Sequence, residues 1–253
     1  MQFSEYYERS ALMSDGQPGN PRYRAALFDL DGTLVASSNT IDRHTRMWAK
    51  RNDLDVAEVM QASHGLRDRD FVPMFVSRSR VEAEIRWLHE LSCRDTAGIA
   101  ASPGATALTR SLPTGVWAVV TSAAREVALC RLAAASLPQP SLLICSEHVA
   151  EGKPAPESYL RAAAALNIGP HDCLVFEDSI AGLLSAKSAG MAAIAVGWRQ
   201  APVHGTPVTD LREVRIDCSP QGRLQVSSPA VCQPRAAPFD TSTISTAPFS
   251  AKD

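Results

Sequence analysis

Short apolar runs alternate with helical segments along most of this chain, and that rhythm narrows its fold more than any other feature. "YRAALFDL", "GVWAVVTS", "SLLICSE", "DCLVFEDS" and "MAAIAVGW" each read as a strand too short and too apolar to sit on a surface. Between them lie "AAREVALCRLAAAS", "PESYLRAAAALNI" (stopped by Gly169 and Pro170) and "SIAGLLSAKSAG", which read as helices. Strands alternating with helices predict an α/β fold: a parallel sheet with helices on both faces. The 253 residues suffice for one large domain, or a domain with an inserted lobe.

The stretch from Ser38 to Ala100 breaks the rhythm. It shows no strand, and "TIDRHTRMWAKRN" reads as a helix. "VEAEIRWLHELS" is a second helix, with Val81, Ile85, Leu88 and Leu91 on one face. Trp48 and Trp87 sit among these apolar residues and are assigned to the core of a small helical domain. Residues 38–100 are therefore expected to form a cap inserted after the first strand, with 22–37 and 101–218 forming the main domain. Insertions of this length are commonly functional, often lids. Residues 1–21, with the turn-rich "DGQPGNP", are expected to be a flexible extension. The Ser-, Thr-, Pro- and Ala-rich segment 219–253 has no helical or strand period and is expected to be disordered.

A net charge of −2 gives no electrostatic footprint for nucleic acid. No uninterrupted apolar run could span a bilayer, and "MQFSEYYERSALMSDG" has no signal-peptide core. Six scattered cysteines without a CxxC pair read as reduced, mostly core residues, as in a cytoplasmic protein. The chain is expected to be a monomer that binds neither nucleic acid nor membrane.

Chemistry collects where the strands end. Parallel sheets bind ligands beyond the carboxyl ends of their strands. The first strand ends in Asp29 and Asp31, the second in Thr121 and Ser122, the fourth in Glu177 and Asp178, and Lys153 follows the third. Two carboxylates side by side need a cation or a proton between them. Several carboxylates make a hard oxygen site suited to Mg²⁺, and a lysine with a hydroxyl would hold an anion. Metal, anion holder and carboxylate nucleophile together describe phosphoryl transfer through an aspartyl-phosphate.

"DLDGT" at 29–33, "VVTS" at 119–122, "GKPAPESYL" at 152–160 and "FEDSIAG" at 176–182 resemble, in order, the four motifs of the haloacid dehalogenase superfamily. The resemblance runs over roughly Arg24 to Ile216. It implies a Rossmannoid core, a helical cap of the first subfamily and a Mg²⁺ cofactor. It further implies that Asp29 is the nucleophile, Asp31 the general acid/base, and Thr121, Ser122 and Lys153 the phosphate holders. The metal would be held by Asp29, Asp31 (through its main-chain carbonyl) and Asp178, with Glu177 in support. Members that displace halide lack the second aspartate of the first motif, which is present here as Asp31.

The cap stretch "ASHGLRDRD" resembles a loop of the sugar- and polyol-phosphatase branch, whose members act on 2-deoxyglucose-6-phosphate, glycerol phosphate and hexitol phosphate. His64, Gly65 and Arg67 are thereby candidate specificity residues. Leu66 departs from that branch's frequent arginine, and Ala36 from its frequent aspartate. The implied function is a phosphatase of a small phosphorylated sugar or polyol. The nearest alternative is a β-phosphoglucomutase-like phosphosugar mutase, which would share the same core.

Overall fold

The computed structural model describes residues 22–63, 65–200 and 203–228. The chain enters through β1 (Arg22–Tyr23) and β2 (Ala25–Phe28), turns, and forms the short β3 (Val35–Ala36). Four helices follow: α1 (Ser38–Arg51), α2 (Val56–Ser63), α3 (Asp68–Phe71) and α4 (Val81–Arg94). The chain returns through β4 (Ala100–Ala101), which pairs antiparallel with β3, so a two-stranded ribbon carries the helical insert. This ribbon is the one departure from an insert without strands.

The main domain continues with α5 (Ala105–Ser111), β5 (Trp117–Val120), α6 (Arg125–Ala134) and β6 (Leu143–Ile144). It then runs through α7 (Glu157–Ala165), β7 (Cys173–Glu177), α8 (Ile180–Ser188) and β8 (Ala192–Val196). A further strand, β9 (Thr206–Val208), completes a six-stranded parallel sheet of order β6-β5-β2-β7-β8-β9. The five strands expected from sequence are all present. β9 escaped notice because it is three residues long and contains Pro207, which an edge strand tolerates.

Alternation along β2 divides the interior in two. Ala26 and Phe28 face one side, packed with Leu108, Leu132 and Trp117. Ala25 and Leu27 face the other, packed with Tyr159, Ala162 and Leu183. Both faces are apolar because helices cover both, which is why the strand segments read as continuous hydrophobic runs. The insert has its own core of Trp48, Val59, Phe71, Val72 and Leu88, with Val81, Ile85 and Trp87 packed against it. Trp48 donates its indole N–H to the buried Glu84 at 2.9 Å, so its polar edge is satisfied inside that core.

One expectation is corrected. Residues 219–228 are not a structureless tail: after β10 (Arg215–Cys218), the strand β11 (Leu224–Ser227) pairs with β10 and with β1 in a three-stranded antiparallel sheet. The polar run hides a hairpin because only Leu224 and Val226 of β11 face inward, while Gln225 faces solvent. Residues 1–21 and 229–253 lie outside the described residues. Among the described residues, no helix is long and apolar enough to cross a membrane.

Candidate active site

The register of the sheet assembles the site. Phe28 stands opposite Val119 on one side and Phe176 on the other, so the residues following β2, β5 and β7 emerge at one edge. Asp29, Thr121 and Asp178 are those residues. The Asp29 amide donates to the carbonyl of Phe176 at 2.9 Å, and the Thr121 amide to that of Ile144 at 2.9 Å.

Lys153 ties the edge together. The residue is 5% exposed, and its ammonium donates to Asp29 Oδ1 at 2.6 Å, to the Val120 carbonyl at 3.2 Å and to Glu177 Oε1. Burial opposes the lysine charge, but the Asp29 and Glu177 carboxylates outweigh it and hold its pKa well above the ordinary value. Glu177 is fully buried. Its oxygens accept from Lys153, from Tyr159 at 3.2 Å, and from the amide and hydroxyl of Ser179 at 2.9 and 3.0 Å. This carboxylate is consumed by structure, in keeping with a supporting role.

Asp178 lies against the turn after β2. Gly32 there has φ +90°, and a Cβ on it would fall inside the Asp178 carboxylate. Only glycine combines that left-handed backbone with so close an approach. Thr33 Oγ1 donates to Asp178 Oδ1 at 3.4 Å, and Trp198 donates to the Asp178 carbonyl at 2.7 Å. Trp198 thus braces the loop.

The carboxylates of Asp29, Glu177 and Asp178 lie within 4.8 Å of one another. Burial, then the Glu177 charge, pushes Asp29 well above the usual carboxylate range and Asp178 up to about 7. Fully ionised, these three carboxylates face one cation, Lys153, a formal excess of two negative charges in a largely buried site. A divalent cation with a preference for oxygen ligands fits that excess.

Asp31 stands apart from the metal cluster. Its side chain accepts from Ser37 Oγ at 2.6 Å and from Arg131 Nη1 at 2.5 Å. Its carboxylate is not a member of the three-carboxylate group. Arg131 was not anticipated from sequence. It lies on α6, ten residues after Thr121, is 8% exposed, and nothing local separates it from a surface arginine. Thr121 is buried, and its hydroxyl oxygen accepts from the Ala123 amide at 3.0 Å, leaving its proton to give. Ser122 follows it at the sheet edge, half-buried.

The cap loop does reach the core. A Cβ on Gly65 would lie 3.7 Å from Ala181 and 3.8 Å from Ser179, at the start of α8. Arg67 is buried, and its guanidinium bonds Asp70 and the main-chain carbonyls of Val149 and Ala150. His64, the third expected specificity residue, lies outside the described residues.

Comparison with known proteins agrees with this geometry. Residues 23–190 match the haloacid dehalogenase-like hydrolases. Hexitol phosphatase A of Escherichia coli is 40% identical over 180 residues, covering 69% of this chain and 83% of that protein. Glycerol-1-phosphate phosphohydrolase 2 of Saccharomyces cerevisiae is 32% identical, over 71% of this chain and 77% of its own length. A hydrolase from Pseudomonas syringae superposes with a TM-score of 0.66 at 20% identity, covering 75% of this chain and 96% of that one, which speaks to the fold. With ordered motifs, site geometry and relatives in agreement, the chain belongs to the haloacid dehalogenase-like hydrolase family, and its phosphatase relatives support phosphatase activity.

Proposed function

We propose that the enzyme is a Mg²⁺-dependent phosphatase that releases a small sugar or polyol from its phosphate ester through an aspartyl-phosphate on Asp29. The observation that carries this reading is the buried Lys153 bridge, which fixes one oxygen of Asp29 beside a carboxylate cluster short of positive charge. A carboxylate so oriented is a nucleophile, and the lysine is placed to meet the phosphate oxygens. Mg²⁺, held by Asp29, Asp178 and the main-chain carbonyl of Asp31, would offset the negative charge of the phosphoryl oxygens.

In the first half-reaction an Asp29 oxygen bonds to phosphorus, the ester P–O bond breaks, and the leaving alkoxide takes a proton from Asp31. In the second, Asp31 takes a proton from water as the water oxygen bonds to phosphorus and Asp29 leaves. Such proton transfers contribute on the order of 10²–10⁴ in rate. Thr121, Ser122 and backbone amides of the strand-end turns would hold the remaining phosphate oxygens. Gly65 and its neighbours in the cap loop would face the leaving alcohol.

The named activities of the relatives, on hexitol phosphates and glycerol 1-phosphate, direct the test to polyol esters. Purified protein is assayed for phosphate release from hexitol, glycerol and 2-deoxyglucose phosphates, with Mg²⁺ and with a chelator. Multiple turnover on one or more of them, abolished by chelation, is expected. Release that depends on a sugar bisphosphate, with isomerised phosphosugar as the main product, would replace this reading by a mutase.

A further inference from the structure

Arg67 belongs to the cap, yet two of its guanidinium hydrogen bonds reach the main domain. Nε and Nη2 fork onto Asp70 at 2.5 and 2.7 Å. Nη1 donates to the Val149 carbonyl at 3.1 Å and Nη2 to the Ala150 carbonyl at 3.2 Å. Four of its five N–H groups are thereby placed on protein acceptors. The arginine is 5% exposed. The fit continues at Gly152, where a Cβ would come within 2.6 Å of Arg67 Nε and 3.0 Å of Asp70 Oδ2. Val149, Ala150 and Gly152 belong to the loop that delivers Lys153 to Asp29.

We propose that the Arg67–Asp70 pair is a latch. By seating the cap on the 149–152 loop it couples closure over the leaving alcohol to the placement of Lys153. Arg67 is then a positioning residue rather than a direct contact to substrate. This rests on the phosphatase reading for its kinetic consequence, while its structural consequence stands without it.

The physical reason for arginine is its fork. One planar group serves a carboxylate and two carbonyls in fixed directions, and a lysine ammonium could not reach all three. Asp70 supplies the charge that lets the guanidinium be buried. Gly152 supplies the room.

The distinction from a substrate contact is testable by leaving group. A polyol alcohol is a poor leaving group that needs the closed, water-free site. Acetyl phosphate has an activated leaving group and demands little of the cap. Full-length Arg67→Met, Arg67→Lys and Gly152→Ala are each assayed on acetyl phosphate and on the best polyol phosphate of the wild type. The loss of kcat/KM on the polyol ester should exceed that on acetyl phosphate by about tenfold or more, since small displacements of catalytic groups are that costly. Arg67→Lys should not rescue Arg67→Met.

Hydrogen–deuterium exchange supplies a readout free of turnover. Amides of 146–155 should exchange faster in Arg67→Met, while those of β8 on the far side of the sheet should not. Equal losses on both substrates with rescue by lysine would make Arg67 a phosphate contact and overturn the latch. Unchanged exchange at 146–155 would overturn it as well. A wild type that hydrolyses acetyl phosphate but no polyol ester overturns the substrate assignment, and the exchange result still decides the latch.

Discussion

Substituting Gly182 by alanine sets two effects of opposite sign against each other. Gly182 lies in the first turn of α8, and helix propensity alone favours alanine there by about 1 kcal/mol. The structure predicts the reverse. A Cβ on Gly182 would coincide with the Glu177 carboxylate, which is fully buried. That carboxylate could swing aside only by surrendering Lys153, Tyr159 and Ser179. Breaking a buried pair of this kind costs ~3–5 kcal/mol because an uncompensated charge is left behind. The net loss is therefore roughly 2–4 kcal/mol, or about 5–15 °C in Tm for a domain of this size. Thermal and urea unfolding of the two proteins measures it, with phosphate release assayed in parallel. Gly169→Ala is the control: its φ is −66° and a Cβ there would meet open space, so its stability should move by under ~0.5 kcal/mol. A Gly182→Ala protein more stable than wild type would refute the reading of Glu177 as a close-packed support for Lys153.

Two further perturbations probe the same centre. Asp178, held up at about 7, must lose its proton when Mg²⁺ binds, as must the raised Asp29, so apparent Mg²⁺ affinity should fall by at least about tenfold per pH unit below that point. Calorimetric titration checks this, and in the metal-free protein the raised pKa of Asp178 should make stability decline as pH climbs from 3.8 toward about 7, a slope Asp178→Asn should reduce, with the raised Asp29 supplying the remainder. Arg131→Met strands Asp31, which is only 18% exposed, without its cation; stability should drop by about 3 kcal/mol and turnover of a polyol ester should fall. Wild-type stability and rate in that variant would remove Arg131 from the site.

The fold was legible in the sequence wherever one physical signal acted alone. The buried parallel strands announced themselves as apolar runs because both faces of the sheet are covered. The cap helix α4 did so because Leu88 and Leu91 recur at helical spacing, whereas the shorter α2 and α3 did not. β11 did not, since a strand with one wet face and two inward residues looks like any polar linker. The site followed the same division. Asp29, Lys153 and Asp178 could be read because strand ends of a parallel sheet converge by topology. Arg131 could not, because its partner Asp31 lies a hundred residues away and only packing joins α6 to the first strand's turn. Arg67 was legible as important but not in its role: a motif position cannot tell whether a guanidinium meets a ligand or a main-chain carbonyl.

The most direct measurement is the chemical state of Asp29 during turnover. In Asp31→Asn, acetyl phosphate can still transfer its phosphoryl group, since its leaving group needs no acid, while the water step lacks its base. Rapid acid quench followed by peptide mapping should find the phosphoryl group on the peptide carrying Asp29, with none formed in Asp29→Asn. Hydrolysis by Asp29→Asn near the wild-type rate, or turnover by wild type with no phosphoryl group ever recovered on Asp29 in Asp31→Asn, would contradict covalent catalysis at this strand end.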